Sequence, residues 1–210
     1  SPGQMGLLTA AGTAPSLLFG LIAGVWVDRL RRRRLMVTAD IARFLILLSI
    51  PIVWVFGEMR FDLLYVVTFL NGTLRVFFNV SYMSYVPDLV GREHLLEANG
   101  KLGSTASLAQ VTGPALGGLL VGLLGAAYAI LLDALSFLVS AGFLKRIRKP
   151  EAAPNAHGEH PSIVRGIGEG LHLVYRNATL RALLLSASCT SLAGYIFMAV
   201  YILYMVDDLH

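Results

Sequence analysis

The sequence predicts an all-α protein that crosses a membrane several times, and three observations lead there. Its apolar residues come in long blocks, and at about 1.5 Å rise per residue a helix of about 20 residues crosses a ~30 Å hydrocarbon core. Only 14% of the 210 residues are charged, against about 25% in ordinary soluble domains. The positive charges collect in alternate loops, the pattern expected when basic loops stay on the cytoplasmic side. In hydrocarbon each backbone polar group must be satisfied within its own segment, so the spans are helices.

Six spans follow in order, at roughly 6–27, 35–56, 62–86, 101–124, 126–146 and 180–206. The first is apolar apart from small residues and Pro15, and the basic loop Asp28 to Arg34 separates it from the second. Gly57 to Asp62 makes a short turn, the third span is expected to end at Pro87-Asp88, and the loop around Gly91-Arg92-Glu93-His94 leads to the fourth at Lys101. Gly125 alone turns the chain into the fifth span, which ends in Lys145-Arg146-Ile147-Arg148-Lys149.

Fourteen of the 17 Lys and Arg fall in or beside the loops of one side: Arg29, Arg31 to Arg34, Arg92, Lys101, Lys145, Arg146, Arg148, Lys149, Arg165, Arg176 and Arg181. Arg60 falls on the other side, and Arg43 and Arg75 lie within spans. The net charge of +4 is therefore a topology signal and gives no reason to expect a nucleic-acid partner; the partner implied is the lipid bilayer.

Residues 148–161 contain three prolines and no apolar cluster, the composition of a disordered linker. Its His157 and His160 lack a third ligand, so no metal is expected there. From 162 to 176 the apolar Ile163, Val164, Ile167, Leu171 and Val174 recur at helical spacing opposite Arg165 and Glu169, which predicts an amphipathic helix along the cytoplasmic face. Asn177 suits the N-cap of the last span. The single cysteine, Cys189, allows no intrachain disulfide. The chain opens on Ser1-Pro2-Gly3 and stops at Asp207-Asp208-Leu209-His210, which reads as a fragment cut at both ends and expected not to transport by itself.

The loop after the first span is the most specific stretch. Gly24, Asp28, Arg29, Arg32 and Arg33 match Gly-x-x-x-Asp-Arg/Lys-x-Gly-Arg/Lys-Arg/Lys, and the chain here resembles the major facilitator superfamily between its second and third helices. Arg31 stands where that pattern has its second glycine; were a left-handed residue needed there, it would cost roughly 1–2 kcal/mol more than glycine. The resemblance implies a partial major-facilitator fold covering about helices two to seven, with the charged loop as a conformational latch. Residues 1–147 would then be the N-terminal transmembrane bundle, 148–161 the linker, 162–176 the cytoplasmic helix and 177–210 the first span of the C-terminal bundle. The long basic loop falls where the superfamily joins its two halves.

In the fourth span Gly100, Gly113, Pro114, Gly117 and Gly118 resemble the superfamily's antiporter motif, with Ala109 in place of its second glycine. Glycines four apart on one face let another helix approach, and Pro114 removes a backbone hydrogen bond and bends the helix; a tight helix crossing is the alternative use of the same residues. Ser84 to Val90, Ala98-Asn99-Gly100 and Leu132 to Phe137 are similar to the bacterial exporters related to the enterobactin exporter.

Ionisable residues within spans are functional candidates because burying them in lipid is costly. Arg75, near Asn71 and Asn79, occupies the region where the superfamily often carries an arginine linked to proton coupling; a structural ion pair with Asp133 is the alternative. Asp40 and Arg43 lie one turn apart and suit mutual neutralisation. Asn79, Tyr82 and Tyr85 are candidates for the substrate cavity. The sequence holds no phosphate-binding Gly-Lys-Ser/Thr loop, metal cluster or catalytic triad, so neither an enzyme nor a cofactor is expected. The resemblance implies a secondary active transporter of the bacterial cytoplasmic membrane, a proton-coupled exporter of a small amphiphilic molecule. Its rivals are an uncoupled facilitator and a non-transporting accessory or receptor with the same fold.

Overall fold

A computed structural model describes residues 2–27, 29–57, 61–149, 151 and 163–207. They form seven helices: α1 (Pro2–Val27), α2 (Arg32–Val55), α3 (Phe61–Val90), α4 (Leu95–Leu124), α5 (Ala126–Arg146), α6 (Ile163–Arg176) and α7 (Ala178–Asp207). A single 3₁₀ turn, Arg92–His94, precedes α4. There is no strand among the described residues. Five helical stretches are long and apolar enough to cross a membrane: Arg32–Val55, Phe61–Val90, Arg92–Leu124, Ala126–Arg146 and Ala178–Phe197; α1 adds the apolar stretch Gly6–Gly20. Of the linker expected at 148–161, residue 150 and residues 152–161 with the two histidines lie outside the described residues, as do Arg60 and Asp28.

Two boundaries differ from the sequence expectation. α3 runs through Pro87 to Val90, because proline removes one hydrogen bond near the wet end of the helix while its fixed φ still suits the α region. The helix stops instead at Gly91, whose φ of +81° is open to glycine and costly for other residues. α4 begins at Leu95 rather than Lys101. The Leu-Leu-Glu-Ala opening is made of good helix formers, and Lys101 Nζ donates to Glu97 Oε1 at 2.7 Å one turn on, the favourable order for such a pair.

The chain divides into two units. The first holds α1 to α5: α1 lies along α3, and α2 packs between α3 and α5. Its core is Leu47, Ile50, Val67 and Ala134, with Phe44, Leu63, Ile130 and Phe137 around them. α1 and α3 approach closely at Gly72 and Gly12. A Cβ on Gly72 would sit 2.6 Å from the Gly12 carbonyl oxygen and 3.2 Å from Pro15 Cγ, so only glycine permits that crossing. Phe19 and Trp26 continue the seam against Phe69 and Phe77, with ring centroids 6.1–6.5 Å apart. Gly125, at φ +85°, is the only residue between α4 and α5. Trp54 and Tyr128 meet edge-on at 6.2 Å where α2 ends and α5 begins; amphipathic rings at helix ends favour the membrane interface.

The second unit holds α6 and α7. Asn177 caps α7: its Oδ1 accepts the N–H groups of Thr179 at 3.0 Å and Leu180 at 3.3 Å, as an N-cap asparagine should. Arg181 reaches back to the Tyr175 carbonyl at 3.3 Å.

Candidate functional site

The candidate residues fall into a charged rim where α2 begins and α3 and α5 end, and a polar layer deeper in the spans. At the rim, Arg32 opens α2 and forms an ion pair with Asp88 near the end of α3. Its Nη1 also donates to the Ser84 carbonyl at 3.1 Å. Arg33 donates from its guanidinium to the Ile147 carbonyl at the end of α5, and its backbone N–H donates to Glu151 Oε1 at 3.3 Å. Lys149 Nζ donates to the Leu89 carbonyl at 2.8 Å. These contacts have one electrostatic logic: the carboxylate sits at the positive end of α2 and the ammonium at the negative end of α3. Two of the loop's arginines thus tie α2 to α3 and α5.

Gly24 lies near the end of α1 with open space where a Cβ would be. Arg31 has φ −70° and ψ 110°, an extended conformation, so the left-handed cost considered for it does not arise. The latch role expected of Asp28 rests on a residue outside those described.

In the deeper layer α3 presents Arg75, Asn79 and Tyr82 at successive turns, Arg75 and Asn79 exposed on this unit and Tyr82 half-buried. Tyr82 stacks on Phe78 at 6.5 Å. Tyr85 does not belong with them: it is 3% exposed, its hydroxyl has no hydrogen-bond partner, and the charges that act on it are Arg33 and Glu151 of the rim. Three residues past Tyr82 fall about 60° short of a full turn, and Tyr85 is buried within this unit, whereas Arg75 and Asn79 are exposed. Arg75 and Asp133 are both exposed and form no ion pair with each other; both instead act on Arg43. Arg43 does not close on Asp40. Its Nε donates to Asn71 Oδ1 at 2.9 Å, and its guanidinium carbon lies 3.9 Å from the centroid of Phe137. Simple neutralisation of Asp40 by Arg43, expected from their spacing, is therefore not the arrangement present.

The glycine motif and Asp133 come together. A groove of about 600 Å³ between α4 and α5 is lined by Gly113, Leu116, Gly117, Ala129, Ile130 and Asp133, among others. Around Gly100, Gly113, Gly117 and Gly118 nothing lies within 4 Å of an added Cβ, so the motif closes no helix crossing within this unit. Pro114 lies within α4 between these glycines.

Several partners were not anticipated from the sequence. Asp88 had a visible signal, since an acid in the last turn of a helix opposes the helix dipole unless a cation pairs with it. Glu151 and Lys149 had none, because their contacts are set by how the chain leaves α5. Asn71 was noticed only as a neighbour of Arg75.

The family model described as Major Facilitator Superfamily matches residues 1–210. The multidrug efflux pump Tap of Mycolicibacterium fortuitum is 31% identical over 185 residues, 84% of this chain and 45% of that protein. Tap of Mycobacterium tuberculosis strain H37Rv is 29% identical over 191 residues, 87% of this chain and 45% of its own length. Macrolide efflux protein A of Streptococcus pyogenes is 25% identical over 197 residues, 94% of this chain and 47% of that protein. The chain spans about half the length of these curated relatives. No solved structure matches it significantly. The family and the relatives' names are those of transporters rather than enzymes. With its apolar helices and bacterial relatives, the chain is a multi-pass protein of the bacterial plasma membrane and belongs to the Major Facilitator Superfamily.

Proposed function

We propose that the protein is a secondary active exporter that moves a small amphiphilic, drug-like molecule outward in exchange for protons. The observation that carries this reading is the α3 stripe, where Arg75 and Asn79 stand exposed in the middle of a membrane span. An arginine at that depth costs at least about 2.5 kcal/mol by insertion scales unless water or a partner compensates it. A water-filled central cavity supplies that compensation, and Tyr82 beside it offers an aromatic face to an amphiphilic cargo. The relatives' names, multidrug and macrolide efflux, favour a drug-like cargo over the siderophore suggested by similarity to the enterobactin-exporter branch.

In this reading residues 1–147 form one bundle that rocks about the central site, and residues 177–210 begin the other. The linker at 148–161 and the amphipathic helix at 162–176 join them. The Gly24, Asp28, Arg29, Arg32 and Arg33 loop stabilises one of the two states. The glycine motif with Asp133 lines a second face that bends during the exchange.

The test is efflux of a labelled macrolide by the full-length protein in proteoliposomes under an imposed pH gradient. Arg75→Met with Asp133→Leu removes both exposed charges and is expected to insert well yet lose gradient-driven export. Full gradient-driven efflux by that double variant would make Arg75 structural. Wild-type efflux that ignores the gradient would favour an uncoupled facilitator.

A further inference from the structure

Asp40 is 1% exposed and lies about 12 Å from the cytoplasmic end of α2 at 1.5 Å per residue. Its Oδ2 has no hydrogen-bond partner. Few groups face it. α5 brings the Ser140 hydroxyl, and α2 itself brings Arg43 one turn on. Arg75 of α3 and Asp133 of α5 act on Arg43, and α1 carries no ionisable side chain. Arg43 meanwhile is held away, by Asn71 on α3 and the ring of Phe137 on α5.

The guanidinium keeps its charge at any physiological pH, so the carboxyl is the partner whose state can change. Ionised, with an unpaired oxygen in a dry bundle, Asp40 would carry a large desolvation cost. A proton removes that cost, and so would Arg43, which is close enough along the same helix to turn back and pair with it. The two compensations compete.

We propose that Asp40 is a proton-binding site that exchanges its proton for the Arg43 guanidinium. With the proton bound, Arg43 holds Asn71 and Phe137 as seen here. On release the O–H bond breaks, its electron pair stays on the carboxylate and the proton passes to water. Arg43 then pairs with Asp40 and lets α3 and α5 go. Asn71 lies one turn before Arg75, so the exchange acts on the segment that carries the candidate cavity stripe. Because proton and guanidinium exclude one another, a shift in α3 changes proton affinity as much as the proton changes α3. Asp40 is in this sense a positioning residue, and its role in export rests on the proton-coupled reading above.

Two measurements on the full-length protein test it. Infrared difference spectra between acid and alkaline pH should show a titrating protonated-carboxyl C=O band that disappears in Asp40→Asn; a band unchanged in that variant overturns the proposal, whether or not export proves to be proton-driven. In proteoliposomes, Asp40→Asn should reduce gradient-driven macrolide export at least about tenfold more than exchange of labelled for unlabelled macrolide, the factor worth one pH unit of driving force; equal reduction of both would overturn the coupling role. Wild-type export that ignores the gradient removes the proton-coupled reading instead, and leaves the infrared band to decide whether Asp40 takes a proton. Should Asp40→Asn fail to assemble, Asn71→Ala carries the test. Freed of its acceptor, Arg43 competes better for Asp40, so protonation needs more acid. The midpoint of the titrating band should then move down by roughly one pH unit. An unmoved midpoint would overturn the exchange.

Discussion

Gly72→Ala probes the close crossing of α1 and α3. The added methyl would lie 2.6 Å from a backbone oxygen of α1 and 3.2 Å from the ring of Pro15, which is itself fully buried. Neither neighbour can swing aside, since one is main chain and the other a closed ring, so α1 and α3 must separate. A radial gap of about 0.5–1 Å forfeits a quarter to a half of the dispersion energy at each contact. The loss extends along the seam to Phe19, Phe69, Phe77 and Trp26. Overpacking of this kind costs about 1–3 kcal/mol, which for a unit of this size lowers the unfolding midpoint by roughly 2–12 °C. The assay is thermal unfolding of the purified full-length protein in detergent. Gly20→Ala is the control: an added methyl there meets nothing within 4 Å, and alanine's higher helix propensity should leave stability equal or up to about 1 kcal/mol higher. Equal midpoints for Gly72→Ala and wild type, or an equal loss at both glycines, would refute the close-crossing argument.

The Arg32–Asp88 pair is partly solvated, with side chains 26% and 47% exposed. Asp88→Asn should therefore cost only about 0.2–1 kcal/mol in a double-mutant cycle, and a coupling energy of zero with Arg32→Gln would remove the pair from the rim. Asn177→Ala should cost about 1 kcal/mol by removing the N-cap of α7. Its signature is faster hydrogen exchange at the Thr179 and Leu180 amides; exchange at the wild-type rate would show the cap to be idle.

The helices were legible because a span announces itself by length and apolarity, properties of a single segment. The basic loop and the glycine motif stood out only as a resemblance, and the roles it implies for them are proposals. What could not be read was which side chain meets which across helices. Arg43 and Asp40 are one turn apart, and spacing alone favours a pair. The actual partners of Arg43, Asn71 and Phe137, come from two other helices whose rotation no single-helix pattern fixes. The same limit hid the burial of Tyr85, since the periodicity of α3 does not say which stripe faces the bundle. It also hid Gly12 and Gly72, isolated glycines in separate helices, while drawing attention to the glycines of α4, whose face is open in this unit.

The lone residue joining α4 to α5 restricts how the groove beside Asp133 changes shape. With only Gly125 between Leu124 and Ala126, and its N–H bonded to the Val121 carbonyl at 2.9 Å, the joined ends of the two helices are leashed without slack. They cannot splay at that end like the blades of open scissors. Any widening must come from flexure further down, and α4 has its weak point there: Pro114 lacks the amide that would brace that turn. It stands between Gly113 and Gly117, two residues of the groove wall. The groove would therefore gape first at the end away from Gly125, like a clothes peg sprung at that glycine.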